Sequence, residues 1–299
     1  MTSDRRPERH FGIQLSAFTT DGEQSADFFA ATIAAAQAAE IAQFDSFWLP
    51  DHFHQTPPGR RRDDPAPEAY VLLAALAQYT SRIRLGALVT GVTYRNPALL
   101  AKMVTTLDHV SRGRAVLGLG ASWNADEYIA YGFGDSLPPL GERFERLEEA
   151  VQIAQAMFTQ ETAHVQGVHY RVAGALNVPR PLQEGGVPIM LGGAAPFVLR
   201  LAARGANMWN ILAEPPSAVR KLGELLRFCD EVGRNPTEIT KTWLGALPIV
   251  EGQIDSAAIL AVTTTIFDAG FDGVMFYKAR DLWTGDELAA LGAILTEFR

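Results

Sequence analysis

Short apolar runs alternate with longer amphipathic stretches along most of the chain. The runs are FGIQL (11–15), SFWLP (46–50), IRLGALV (83–89), AVLGLG (115–120), PIMLGG (188–193), MWNIL (208–212), TWLGALPIV (242–250) and GVMFY (273–277). Strands covered on both faces read as continuous apolar runs. Strands separated by helical stretches form βα units around a parallel sheet. About eight such units predict an α/β fold of the TIM-barrel type, (β/α)8.

Helix-start signals fall between the runs. Ser25 can cap a helix over about 26–42, and Asn96 precedes Pro97 at a first helical position. Pro196 and Pro216 suit helix starts, Asp255 or Ser256 opens an apolar-periodic run to Ala269, and Thr284 precedes an acidic first turn. Gly113, Gly205, Gly233 and Gly270 mark helix ends. The rhythm breaks between the fourth and fifth barrel strands. There, Asp135 to Gly186 holds a loop, a helix over about 141–158 and a hairpin about Gly167. This reads as an insertion in a single barrel domain spanning 11–299, behind a flexible N-terminus, 1–10.

The chain has 299 residues, 47% of them hydrophobic and 20% charged, enough to bury a large core. Twenty-six basic and 34 acidic residues leave a net charge of −8, which argues against nucleic acid or an anionic membrane as partner. One cysteine excludes an intrachain disulfide, and no run approaches a membrane span. A soluble, cytoplasmic protein acting on a small molecule is the expectation.

In such barrels the chemistry sits at the C-terminal strand ends. The second strand ends in Asp51, His52, Phe53 and His54. Three readings stay open: an imidazole handling protons at a ligand, a metal pair at His52 and His54, or loop hydrogen bonding. The metal reading lacks partners, since no histidine ends the fifth or sixth strand. Gly192, Gly193 and Ala194, followed by Pro196, suit a phosphate approaching a helix N-terminus, or simply a tight turn. Gly118-Leu119-Gly120 fails as a dinucleotide fingerprint because Trp123 stands where the third glycine belongs. The 120–124 stretch likewise lacks the last glycine of a nucleophile elbow. Phe53, Trp48, Trp123, Tyr128 and Trp209 could wall a planar pocket, and Arg60-Arg61-Arg62 could clamp an anionic tail or lie in solvent.

The stretch VTGVTYRNPALLAKMVTTLDHVSRGRAVLGLGASWNADEYIAYG (89–132), with LPDHF, GERFERLEEAV, GVHYRV…PRP and PIMLGGAAP in the same order, resembles the luciferase-like monooxygenase superfamily. It is most similar to the branch dependent on the deazaflavin coenzyme F420, and the resemblance covers roughly 11–280. It implies a (β/α)8 barrel with an insertion, a homodimer, and a coenzyme at the strand ends. It implies a non-prolyl cis peptide ending strand three, matched here by Leu88–Val89 with Thr90 beside it. Asp51 and His52 match the ring-facing pair, with His52 as acid/base. Asn124 matches a polar ligand of the ring system, and Gly192, Gly193 and Ala194 the phosphate-binding turn. One departure stands out. Ala121 replaces a glutamate that sugar-phosphate dehydrogenase relatives carry after the strand-four G-x-G, and the nearest acids, Asp126 and Glu127, read as helix-capping charges.

The resemblance implies hydride transfer between F420 and a small organic substrate, with no metal. The rivals are a reduced-FMN monooxygenase of the same fold, a metal-dependent barrel hydrolase, and an idle family member.

Overall fold

In the computed structural model the described residues are 9–18, 27–56 and 61–299. Elements run in chain order. Strand β1 (His10–Gln14) leads to α1 (Phe28–Ile41), β2 (Ser46–Leu49), α2 (Ala69–Tyr79), β3 (Arg84–Ala87), the two-residue β4 (Thr90–Gly91) and α3 (Pro97–Val110). Strand β5 (Ala115–Gly120) is followed by α4 (Ala125–Ala130), α5 (Leu140–Thr159) and the hairpin of β6 (Ala163–Gln166) and β7 (Arg171–Ala175). Then come β8 (Ile189–Gly192), α6 (Pro196–Gly205), β9 (Met208–Leu212), α7 (Pro215–Val232) and β10 (Thr240–Ala246). The ribbon of β11 (Ile249–Val250) and β12 (Gln253–Ile254), α8 (Ser256–Asp268), β13 (Gly273–Tyr277) and α9 (Gly285–Leu295) complete the chain.

Strands β3, β2, β1, β13, β10, β9, β8 and β5 pair in parallel in that order, and β3 pairs again with β5. The sheet is a closed eight-stranded parallel barrel ringed by helices, as the alternation of apolar runs predicts. Inside it Trp48, Val116, Met190, Met208, Leu244 and Met275 form one buried cluster, contributed by six strands. A much larger cluster lies between the strands and the helices. Trp48 fills the interior because Gly86 faces it, where a Cβ would sit 2.6 Å from the indole.

Most capping expectations hold. Asn96 accepts from the Ala98 and Leu99 amides, Asp255 from Ala258, and Thr284 and Glu287 close a capping box. Ser25 lies outside the described residues, and Asp27 caps α1 by accepting from Ala30. Gly205 is the last residue of α6 rather than a left-handed stop, whereas Gly233 takes φ +69° after α7. The seventh run ends early: β10 stops at Ala246, and residues 249–250 turn back antiparallel with β12.

Between the fourth and fifth barrel strands, β5 and β8, stand α4, α5 and the β6–β7 hairpin. The hairpin is tied down by Glu149 of α5, which accepts from the Val168 (2.6 Å) and Tyr170 (2.8 Å) amides and from that of His169. At its far side the Tyr170 hydroxyl donates to the Val92 carbonyl (3.2 Å), so the insertion reaches the barrel mouth. Replacing Glu149 with alanine leaves three amides without this acceptor. The expected cost is about 2 kcal/mol, read as a lower urea midpoint, with faster amide exchange at 168–170 than in the barrel strands.

Candidate functional site

The strand ends enclose a cavity of about 510 Å³ at the C-terminal mouth of the barrel. This volume falls within the ordinary range for small-molecule sites. Its floor is set where β3 stops. Leu88 and Val89 are joined by a cis peptide bond, Leu88 N–H donates to the Leu49 carbonyl (2.8 Å), and Gln14 Nε2 donates to the Leu88 carbonyl (2.9 Å). The Val89 side chain then crosses the mouth. It takes the space a Cβ would need at Gly120 (2.5 Å) and at Gly192 (2.8 Å). Gly192 is therefore glycine to admit Val89. Gly193 is different: it takes φ +133°, and a Cβ there would meet nothing closer than 3.7 Å. It opens onto the N-terminus of α6, which has no side-chain cap.

Asp51 and His52, at the end of β2, both line the cavity. Asp51 is buried and held in a two-point ion pair by Arg95 (2.7 and 2.9 Å), which also bonds Glu68. Burial outweighs the pull of Arg95 and pushes the Asp51 carboxyl up to about 6. His52 is half-buried, with Trp123 edge-on at 5.4 Å, and its Nδ1 lies 2.8 Å from Oε2 of Glu127. No hydrogen bond engages its Nε2 among the described residues.

Leu88, Val89, Gly192 and Gly193 stand on the cavity wall with this pair. Thr90, Asn124 and Ala194 do not. Thr90 is fully buried and shares a hydrogen bond with the Tyr70 hydroxyl (2.6 Å). Asn124 caps α4, accepting from the Asp126 and Glu127 amides. Ala194 packs against the main core. Trp123 stands at the mouth, largely exposed, while Trp48 and Trp209 are core. Arg60 lies outside the described residues; Arg61 is exposed and paired with Asp63 (2.6 Å). The His52–His54 pair gathers no metal-ligand cluster among the described residues.

Three residues of this site escape the sequence reading: Arg95, Tyr94 and above all Glu127. Glu127 has no exposure, and its Oε1 accepts from the Phe53 (2.8 Å) and His54 (3.2 Å) amides. Its Oε2 accepts from His52 and from the Tyr94 hydroxyl (2.9 Å). In sequence it sits three residues after an asparagine cap, where an acid reads as helix charge.

The sequence profile of the family described as luciferase-like monooxygenase matches residues 10–293. The F420-dependent glucose-6-phosphate dehydrogenase of Nocardia farcinica (strain IFM 10152) is 37% identical over 170 residues, 56% of this chain and 49% of that protein. The chain thus spans about half the length of the glucose-6-phosphate dehydrogenases it matches. Among solved structures, an F420-dependent secondary alcohol dehydrogenase in complex with an F420-acetone adduct superposes with a TM-score of 0.81 at 16% identity, covering 98% of this chain and 99% of the other. The monooxygenase RslO1 from Streptomyces bottropensis gives 0.81 at 19% identity, covering 96% and 98%. At these identities the likeness shows the fold.

Burial acts to raise Glu127, but the hydrogen bond and charge of His52, with the His54 and Phe53 amides, outweigh it and hold the carboxyl below its ordinary 4.5. A depressed acid stabilises the fold in full above its unfolded value and loses that contribution as pH falls through the folded one. Asp51 runs the other way: raised from 3.8, its contribution is complete below that value and is lost as pH climbs through about 6. The difference in stability between wild type and Glu127→Gln isolates the first effect. Urea melts at several pH values should show that difference widest above pH 4.5 and shrinking on acidification below it; a difference that grows toward acid contradicts the assignment.

Proposed function

The chain belongs to the luciferase-like monooxygenase family, and from that premise we propose that it is an oxidoreductase moving a hydride between the deazaflavin coenzyme F420 and a small uncharged organic molecule. His52 handles the accompanying proton. The observation that carries this reading is that the His52 imidazole and the Gly193 turn open on the same 510 Å³ cavity.

The residues present suit such a coenzyme. The cavity floor of Leu88, Val89 and Leu244 is apolar, as a planar ring system requires, and Gly91 and Gly120 keep the walls thin. Gly193, which lines the cavity at φ +133° next to the uncapped end of α6, suits a phosphate on the coenzyme's chain. Bound there, a deazaflavin would supply a ring carbon that accepts or donates hydride. The protein's part is to seat the ring on Val89 and to offer Nε2 of His52 as the atom that takes up or gives up the accompanying proton. Asp51, tied to Arg95, fixes the strand end from which His52 projects. The names of curated relatives favour F420 over FMN.

The substrate side differs from those relatives' names. Among the described residues no lysine or arginine lines the cavity, and the Asp51 carboxylate there is already paired with Arg95. A phosphate ester would bring a dianion to a lining that holds no lysine or arginine among the described residues. A neutral alcohol or carbonyl compound fits this lining.

Spectral titration of the purified protein with F420 and, separately, FMN should show saturable binding of F420; binding of FMN alone would move the assignment to a reduced-flavin monooxygenase. His52→Ala should keep F420 affinity within a few-fold and drop turnover about a hundredfold or more. Unchanged turnover removes His52 from the chemistry. In a panel containing glucose 6-phosphate and uncharged secondary alcohols and ketones, the uncharged compounds should turn over; efficient use of the sugar phosphate contradicts the substrate class.

A further inference from the structure

Glu127 does not line the cavity and cannot reach a substrate, yet it organises the group that can. We propose that Glu127 is a positioning residue that fixes the tautomer of His52, so that Nδ1 carries the proton and Nε2 is the atom offered to the cavity. This rests on the reading of His52 as the proton-handling group, and it names what makes that side chain fit for the task.

The assignment follows from a count of donors and acceptors. The carboxylate has acceptor sites only. Oε1 is engaged by two backbone amides, Phe53 and His54, which can only donate. Oε2 lies 2.8 Å from His52 Nδ1 and 2.9 Å from the Tyr94 hydroxyl. Nδ1 must therefore present a hydrogen, and the neutral ring is left with its lone pair on Nε2. No other titratable group competes for Nδ1 among the described residues. Asp51 is committed to Arg95. The His54 Nδ1 is 4.0 Å from Oε1 and turns to the Gln55 carbonyl at 3.2 Å. Trp123 meets the ring only by its edge.

The carboxylate arrives from behind because Asn124 caps α4 and places Glu127 in its first turn, facing the 52–54 loop. The strand-end position at which relatives of another substrate class were expected to carry an acid is Ala121 here. In this chain the acid is six positions further on, in the first turn of α4, and acts on the imidazole instead of on the substrate. An orienting carboxylate of this kind governs which ring nitrogen is basic and where it points.

The same count makes the effect of Glu127→Gln specific. The Phe53 and His54 amides still need an acceptor, so the glutamine carbonyl must face them. The amide NH2 then faces His52 Nδ1, which must become the acceptor. The neutral tautomer should switch, with the proton on Nε2.

Long-range ¹H–¹⁵N correlation spectra of histidine-labelled protein, without coenzyme, read this directly. The His52 signals are assigned by their loss in His52→Gln, and spectra are taken at pH about 8.5, where a free imidazole is neutral. Wild type should show a protonated Nδ1 and a bare Nε2, Tyr94→Phe the same, and Glu127→Gln the reverse. A protonated Nε2 or a mixed population in wild type overturns the proposal, whether or not the glutamine variant folds. So does an unchanged tautomer in a Glu127→Gln variant whose circular dichroism matches wild type. With a turned-over substrate in hand, Glu127→Gln should lower kcat at least about tenfold with little change in KM. Loss of stability with kcat intact would instead mark a purely structural role. Correct wild-type tautomers alongside a fully active His52→Ala would defeat the functional reading and leave the positioning role standing.

Discussion

A carboxylate withdrawn from water must find a donor for most of its lone pairs or give up its charge. Glu127 meets that condition with four donors drawn from three places: the ring of His52, the amides that follow it, and the Tyr94 hydroxyl beyond β4. The end of β2, the turn after β4 and the start of α4 are thereby locked to one another. A donor left without its acceptor, and with no water in its place, would cost free energy. The proton chemistry proposed for the mouth would rest on this one buried charge, while Asp51 and Arg95 pair beside it.

The floor beneath depends on a second constraint, which is steric. Val89 lies across the barrel mouth because Gly120 and Gly192 leave their Cβ positions to it. Gln14 secures the preceding carbonyl from β1. The result is a flat apolar surface at the top of the inner cluster, in a barrel whose lower interior is filled by Trp48 and three methionines. The 510 Å³ cavity lies above that plug, and its described lining draws on the C-terminal ends of the strands and the loops after them.

These two constraints divide the labour of the site. The steric one sets an apolar surface at Val89, beside the Gly193 turn. The electrostatic one holds an imidazole at its rim with one nitrogen committed and the other available. The insertion closes in from the side, through α5, Glu149 and the Tyr170 hydroxyl at the Val92 carbonyl.

Much of this was legible in the chain itself. Apolar runs spaced by helical stretches determine the barrel, since a strand buried on both faces leaves no polar alternation to confuse the reading. Asn96, Asp255 and Thr284 announce their helices through cap chemistry that is local. Helix α2 carried no such announcement, because its cap is Glu68, an uncommon choice that also reaches Arg95. His52, Leu88, Val89 and the glycine pair could be placed at strand ends by position alone. What they face could not. Asn124 matches a ring ligand by resemblance, and what the structure shows of it is the cap of α4; Glu127 reads as a helix charge. Glu127 differs because three of its partners lie 73 to 75 positions earlier in the chain and the fourth, Tyr94, 33 positions earlier. Local pattern records what a residue does to its own helix. Which distant donors close around a buried charge is decided only when the barrel brings β2 and β5 to the same mouth, and that is a property of the fold.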